Sequence, residues 1–305
     1  MKKSLIALAV LAASGAAMAQ SSVTLYGVAD AGVVKLAGDK TKMGGSTTMN
    51  NGNSRLGVRG IEDLGGGLKV GFNFETGLSL NDGATVASGN GFWARTAKMW
   101  IGGNWGTFQM GRTLTPSFYG VSAWELTGAA NYSVVGNTYS WGGAGARNDS
   151  QFSYKTPDGL GGFSAEVGYI AKGNSATDQS KWDANVIYAN GPIAASLVAN
   201  KLSGGKANWA LGGKYNFGTF AVAAGYHARR DGVRREGFTV GGQAQFGAFT
   251  VTADIARDRK NDAGKKYTNF VLEGKYALSK RTFVYVAGLR LDDKNNYGLG
   301  MRHNF

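Results

Sequence analysis

The chain has 305 residues, of which 49 are glycine and 3 are proline, with no cysteine and a formal net charge of +13. Glycine at about twice its usual share, without a collagen period, weakens helices and favours sheets joined by tight turns. The absence of cysteine excludes a disulfide framework. The Lys and Arg residues are scattered without a basic stripe interleaved with aromatics, which argues against nucleic acid as a partner.

The first segment reads as an export leader. Lys2 and Lys3 form a positive start, Leu5 to Ala13 is an unbroken apolar run of nine residues, and Ala17-Met18-Ala19 supplies a small-x-small cleavage site. Nine residues fall short of the roughly 20 needed for a membrane-spanning helix. The expected organisation is therefore a signal peptide over 1–19 and an exported chain over 20–305. Beyond the leader the apolar runs are short, Phe283 to Leu289 being among the most apolar, so helical spans are excluded while a β-barrel is not.

From residue 22 onward, short alternating segments recur with two kinds of connection. Brief glycine-rich or polar turns fall at Leu64-Gly65-Gly66, Asn104-Trp105-Gly106, Pro157 to Gly161, Asn190-Gly191-Pro192, Phe217-Gly218, Phe246-Gly247-Ala248 and Leu278-Ser279-Lys280. Longer, more polar connections fall near 37–53, 80–91, 113–148, 172–180, 202–206, 229–236, 258–265 and 292–295. The two kinds alternate without a break, which predicts sixteen strands. Side-chain parity agrees: Leu68, Val70, Phe72, Phe74 and Thr76 oppose Lys69, Gly71, Asn73 and Glu75.

In the last segment, Tyr297, Leu299, Met301, His303 and Phe305 oppose Asn296, Gly298, Gly300, Arg302 and Asn304. A strand at the terminus must be paired along its edge, and in a bilayer every backbone donor needs a partner. The predicted fold is an all-β, 16-stranded antiparallel transmembrane β-barrel closed by pairing Val23 to Leu36 with Tyr297 to Phe305. A soluble β-sandwich would leave the alternation of short turns and long loops unexplained.

Four blocks carry a resemblance. Ser22-Val23-Thr24-Leu25-Tyr26-Gly27-Val28-Ala29-Asp30-Ala31-Gly32, Ser54 to Leu68 (SRLGVRGIEDLGGGL), Phe108 to Pro116 (FQMGRTLTP) and Gly298 to Phe305 occur in order along the chain. They resemble the first strand, the second strand and turn, the strand leading into the constriction loop, and the closing strand of general porins from β-proteobacteria. The segment Lys98-Met99-Trp100-Ile101-Gly102 departs from the usual small and apolar text of the fourth strand. The resemblance implies a trimeric, water-filled diffusion channel of the outer membrane, often anion-preferring. It also implies contact with membrane lipid and lipopolysaccharide, handling by periplasmic chaperones and the barrel-assembly machinery, and a terminal aromatic, here Phe305, read by that machinery.

The residues themselves argue for a pore. A sixteen-strand barrel is too wide for side chains to fill, so its lumen holds water. Thr113 to Asn148 is a 36-residue connection rich in aromatics, which needs a surface to pack against. Folding inward onto the lumen wall supplies one and narrows the channel. The alternatives are an exposed adhesive or antigenic loop, or a substrate-specific channel on the same scaffold.

Arg55 and Arg59 share the face opposite Leu56 and Val58 and should point into the lumen. Arg95 and Arg112 flank the approach to the long loop, whose one carboxylate before Arg147 is Glu125. Such a guanidinium cluster makes a permanent positive constriction that attracts anions. Arg95 and Lys98 lie on opposite parities, so both can be luminal only if the strand bulges. Only His227 and His303 are available as imidazoles, and no nucleophile set accompanies them, so no enzyme is expected. No cofactor or metal is expected, since Asp258, Asp262, Asp292 and Asp293 read as solvated loop acids.

Overall fold

The computed structural model describes residues 21–85, 91–175 and 178–305; the predicted leader over 1–19 lies outside the described residues. The alternating segments form β1 (Ser22–Lys35), a short β2 (Lys42–Gly44), β3 (Arg55–Gly65), β4 (Leu68–Gly77), β5 (Thr96–Gly103) and β6 (Gly106–Leu114). Two short helices follow, α1 (Pro116–Ser122) and α2 (Val134–Tyr139). The wall resumes with β7 (Arg147–Lys155), β8 (Phe163–Ile170), β9 (Lys181–Asn190), β10 (Ile193–Leu202), β11 (Asn208–Asn216) and β12 (Phe220–Arg229). It ends with β13 (Arg235–Phe246), β14 (Phe249–Asn261), β15 (Thr268–Ala277), β16 (Thr282–Leu291) and β17 (Lys294–Asn304).

All strands belong to one antiparallel sheet. β2 folds back on the loop end of β1, pairing Val33 with Met43, which leaves sixteen strands in a closed wall. β1 makes the closure: its first half pairs with β3 and its second half with β17, from Val28 opposite Asn304 to Lys35 opposite Tyr297. Phe305 extends the ladder, its amide donating to the Gly27 carbonyl at 3.1 Å and its carbonyl accepting from the Gly27 amide at 3.0 Å. The Phe305 ring covers Gly27 so closely that a Cβ there would collide with it. A smaller residue at the terminus would uncover this seam.

One connection differs from expectation. The last loop is not a four-residue segment over 292–295 but a two-residue turn, Asp292-Asp293, with φ of 50° and 64°. Both residues adopt the left-handed conformation that matches strand twist in tight hairpins, and Asp tolerates it better than most side chains. Their carboxylates are held in place: Arg235 grips Asp292 at 2.5 Å and Lys265 meets Asp293 at 2.5 Å. The paired cations hold both carboxyls below their usual range, hydrogen bonding being the largest cause.

The two faces of the wall differ in chemistry. Val186, Leu197, Leu211, Val240, Leu272, Val286 and Leu299 stand exposed on the outer face, a continuous apolar band that only lipid or another apolar surface can cover. Aromatics border it. Trp105, Phe163, Tyr215, Phe246 and Tyr276 lie near the short turns, and Tyr169, Trp182, Tyr226 and Phe238 near the long loops. The opposite parity carries Asp183, Asn185, Ser196, Asn200, Gln243 and Glu273, polar groups turned to the lumen. The buried cluster of Val121, Trp124, Leu126, Tyr132, Val134 and Tyr139 sits between that inner face and residues 115–146.

Candidate functional site

The long connection lies along the inner wall. Thr115 caps α1, its hydroxyl accepting from the Phe118 amide at 3.0 Å, and Pro116 starts the helix where no backbone donor is needed. Wall residues then receive it. Asp183 accepts from the Ser117 amide at 3.0 Å and hydroxyl at 2.6 Å, and Asn185 donates to the Pro116 carbonyl at 2.7 Å. The Ser196 hydroxyl donates to the Gly120 carbonyl at 2.7 Å and accepts from the Trp124 indole at 3.2 Å. The indole lies in a slot over Gly212 and Gly225, where a Cβ at either position would collide with it.

The second half is pinned further round the wall. Tyr132 donates to Glu273 at 2.5 Å, Gln243 to the Leu126 carbonyl at 2.8 Å, and Tyr139 to the Arg257 carbonyl at 2.8 Å. Tyr139 also stacks on His227 at 4.4 Å with the rings 5° apart. The imidazole that sequence analysis could not assign is thus part of the floor under α2. Burial pushes the Tyr132 and Tyr139 phenols well above their ordinary range, so they remain neutral donors.

A second loop joins this one, a feature the sequence reading missed. Residues 46–54 of the first long connection turn inward over the β1–β17 seam. Asp30 of β1 organises them, accepting from the Asn50 amide group at 3.1 Å, the Gly52 backbone at 2.8 Å and the Tyr285 hydroxyl at 2.6 Å. Asn51 then donates to Tyr132 at 2.8 Å, and the Asn131 amide donates to the Asn51 carbonyl at 3.1 Å. The sequence cue was the luminal parity of Asp30, the one acid in β1.

Between the two loops and the wall is a cavity of about 740 Å³. Arg55, Arg95, Arg147 and Arg302 line one side, and Tyr119 and Trp141 of the long loop line the other. No carboxylate is among its lining residues. Arg55 and Arg95 share Glu75, at 3.4 Å and 2.7 Å, and Glu75 lines an adjoining space with Arg147, Lys98 and Tyr119. Arg147 donates to the Arg95 carbonyl at 2.7 Å and Arg302 to Asn51 at 2.8 Å. Among the described residues, no carboxylate forms an ion pair with Arg147 or Arg302. Burial pushes the Tyr119 phenol up to about 12, so it too stays neutral in ordinary buffers.

The five side chains singled out from sequence separate here. Arg55 and Arg95 meet in the cavity. Arg59 shares the luminal face of Arg55 but sits lower, its guanidinium 5.5 Å from the Tyr26 ring centre. Arg112 does not join them. β6 alternates unbroken along β5, so Arg112 falls on the outer side with Phe108 and Met110, opposite Ala97, and pairs with Asp149 at 2.5 Å and with the Ala94 carbonyl. The irregularity of the β6–β7 register is an extra residue on β7.

Glu125 also lies elsewhere, accepting from the Thr127 amide at 3.1 Å and the Ala129 amide at 2.8 Å, so that it shapes the turn of the loop. The parity conflict between Arg95 and Lys98 dissolves because β5 begins at Thr96. Arg95 lies in the preceding loop, while Lys98 is luminal and donates to Gln109 at 2.7 Å. Arg147 and Arg302 complete the guanidinium set.

A closed sixteen-strand barrel with an apolar outer band and a polar lumen narrowed by loops defines a pore-forming protein of an outer membrane. The model of the Gram-negative porin family matches residues 5–296, and the chain belongs to that family. Outer membrane porin protein 32 of Delftia acidovorans is 40% identical over 240 residues, covering 72% of this chain and 67% of that protein. Major outer membrane protein P.IB of Neisseria gonorrhoeae is 33% identical over 210 residues, covering 65% of this chain and 56% of that protein. Among solved structures, an anion-selective porin from Comamonas acidovorans superposes with a TM-score of 0.78 at 28% identity, covering 94% of this chain and 100% of that one. The protein is an outer-membrane porin, a channel for passive diffusion.

Proposed function

We propose that this porin passes small hydrophilic solutes with a preference for anions. One observation carries the reading: four guanidiniums line the cavity between the inward loops and the wall, and the adjoining space adds Lys98 against a single carboxylate, Glu75. Guanidinium keeps its charge at any working pH, and a low-dielectric wall concentrates its field in the passage. The anion-selective porin from Comamonas acidovorans, similar in fold, adds support. No step of catalysis is involved; the chain acts by shape and field alone. In planar bilayers with a salt gradient, the purified protein is expected to give stepwise currents whose reversal potential lies on the anion side. Currents reversing on the cation side would overturn the preference, and absence of steps would overturn the channel.

We further propose that residues 1–19 are removed on export, that the mature barrel assembles as a homotrimer, and that Phe305 is the assembly signal. In the closed barrel the Phe305 side chain is on the outer face at the seam, 47% exposed. Phe305→Ala is expected to lower the amount of folded protein in the outer membrane several-fold, while molecules that do insert conduct as the unaltered protein does. Equal yields of the two in outer-membrane fractions would refute this role.

A further inference from the structure

The aromatics of the long loop divide into two sets. Trp124, Tyr132 and Tyr139 are 1%, 0% and 0% exposed and anchor the loop to the wall. Phe118, Tyr119 and Trp141 are only half-buried and line the cavity that the four guanidiniums share. Phe118 packs on Trp141 with 4.8 Å between ring centres and edge-on against Tyr119 at 6.1 Å, so the three form one continuous aromatic surface. Anchoring does not account for this second set, because part of each ring opens on the passage.

The surface is held in place. Trp141 has a φ of 55°, in the left-handed region that bulky side chains rarely enter, and Ser140 before it has 53°. Such backbones persist only where their surroundings fix them, and they gather at functional sites. Here the indole lies against Gly136 of α2, where a Cβ would collide with it. Water wets an aromatic surface poorly, and a passage for inorganic ions alone gains nothing from one. The guanidiniums across the cavity are planar, grip a carboxylate with two parallel hydrogen bonds and stack on aromatic faces. A solute with a carboxylate on an aromatic ring matches both sides at once, its charge on the guanidiniums and its ring on Phe118 and Trp141. The cavity volume of about 740 Å³ falls within the roughly 300–1,000 Å³ of small-molecule pockets.

We propose that the passage selects, among organic anions, those that carry a carboxylate on an aromatic ring, holding them between the guanidiniums and the surface of Phe118, Tyr119 and Trp141. The proposal rests on the anion preference of the pore and adds ring recognition to it. The test records single channels in potassium chloride with benzoate, cyclohexanecarboxylate or acetate added, and reads the concentration that halves the current. Benzoate and cyclohexanecarboxylate have the same charge and nearly the same size, but only benzoate offers a flat π face. Benzoate is expected to half-block at a concentration about fivefold below cyclohexanecarboxylate, with acetate weaker than both. Phe118→Leu/Trp141→Leu keeps apolar bulk without the rings and is expected to bring the two ring carboxylates within about twofold of each other. Arg147→Gln/Arg302→Gln should weaken both by a similar factor and leave their ratio in place.

Equal half-blocking concentrations of benzoate and cyclohexanecarboxylate in the unaltered protein would overturn the proposal without recourse to any variant. An unchanged ratio in Phe118→Leu/Trp141→Leu channels would overturn it as well. Reversal potentials recorded in the same bilayers keep the two readings apart. Anion-side reversal with equal block by the two carboxylates defeats ring recognition alone, whereas cation-side reversal defeats the anion preference beneath it.

Discussion

Arg147→Gln/Arg302→Gln is expected to remove most of the channel's anion preference. These two guanidiniums are the informative pair because neither forms a direct ion pair among the described residues. Asp30, the buried acid facing Arg302, keeps its hydrogen bonds from Asn50, Gly52 and Tyr285 when Arg302 becomes a neutral amide. A unit charge about 5 Å from a permeating ion contributes about 0.8 kcal/mol in a water-like lumen. Screening at physiological salt reduces this to about 0.5 kcal/mol. Removing two charges therefore lowers anion occupancy roughly fivefold and raises cation occupancy by a similar factor, shifting the permeability ratio by roughly twentyfold.

Reversal potentials in a salt gradient measure this directly. Arg59→Ala is expected to shift the potential much less, because Arg59 lies below the cavity against Tyr26. A double variant that keeps the wild-type reversal potential, or an Arg59 variant that moves it more, would show that selectivity is set elsewhere in the lumen.

Trp124→Ala is expected to unseat the long loop while leaving the barrel closed. The indole is 1% exposed, fills the slot over Gly212 and Gly225, and donates to Ser196. Truncating a buried Trp costs about 3–5 kcal/mol. Here the loss falls on loop seating, because the strand ladder does not depend on it. The variant should show larger and noisier single-channel currents, and new protease cleavage between α1 and α2. Its barrel should still migrate as the folded form on unheated gels. Gly212→Val should reproduce these effects from the wall side by occupying the slot. Quiet, wild-type-sized currents from both variants would mean that Trp124 does not hold the passage narrow.

The wall was largely legible in the sequence because a barrel strand repeats one simple pattern and glycine-rich turns punctuate it. Val186, Leu197 and Leu211 face outward for the same reason that Asp183 and Ser196 face inward, and no long-range information is needed to see it. The terminal turn was misjudged because two aspartates look like a polar loop. Only the backbone shows both in the left-handed conformation.

The guanidinium set was harder. Arg55 follows from parity alone, and the same parity excludes Arg112, which shares the outer side of β6 with Phe108 and Met110. Arg95 precedes its strand and so obeys no parity. Arg147 and Arg302 come together from opposite ends of the chain through closure. The inward turn of residues 46–54 depends on Asp30 and Tyr285, which are neighbours only across the seam.

That seam ties mechanical integrity to selectivity. Asp30 lies on β1, and the passage is bounded by a loop that Asp30 holds and by Arg302 of β17, the strand that closes the wall. An unclosed barrel thus lacks both the clasp for residues 46–54 and one of its four charges at the right height. On the proposed reading, the filter is finished by the same event that seals the membrane, so a half-assembled molecule offers no selective pore beside an open edge.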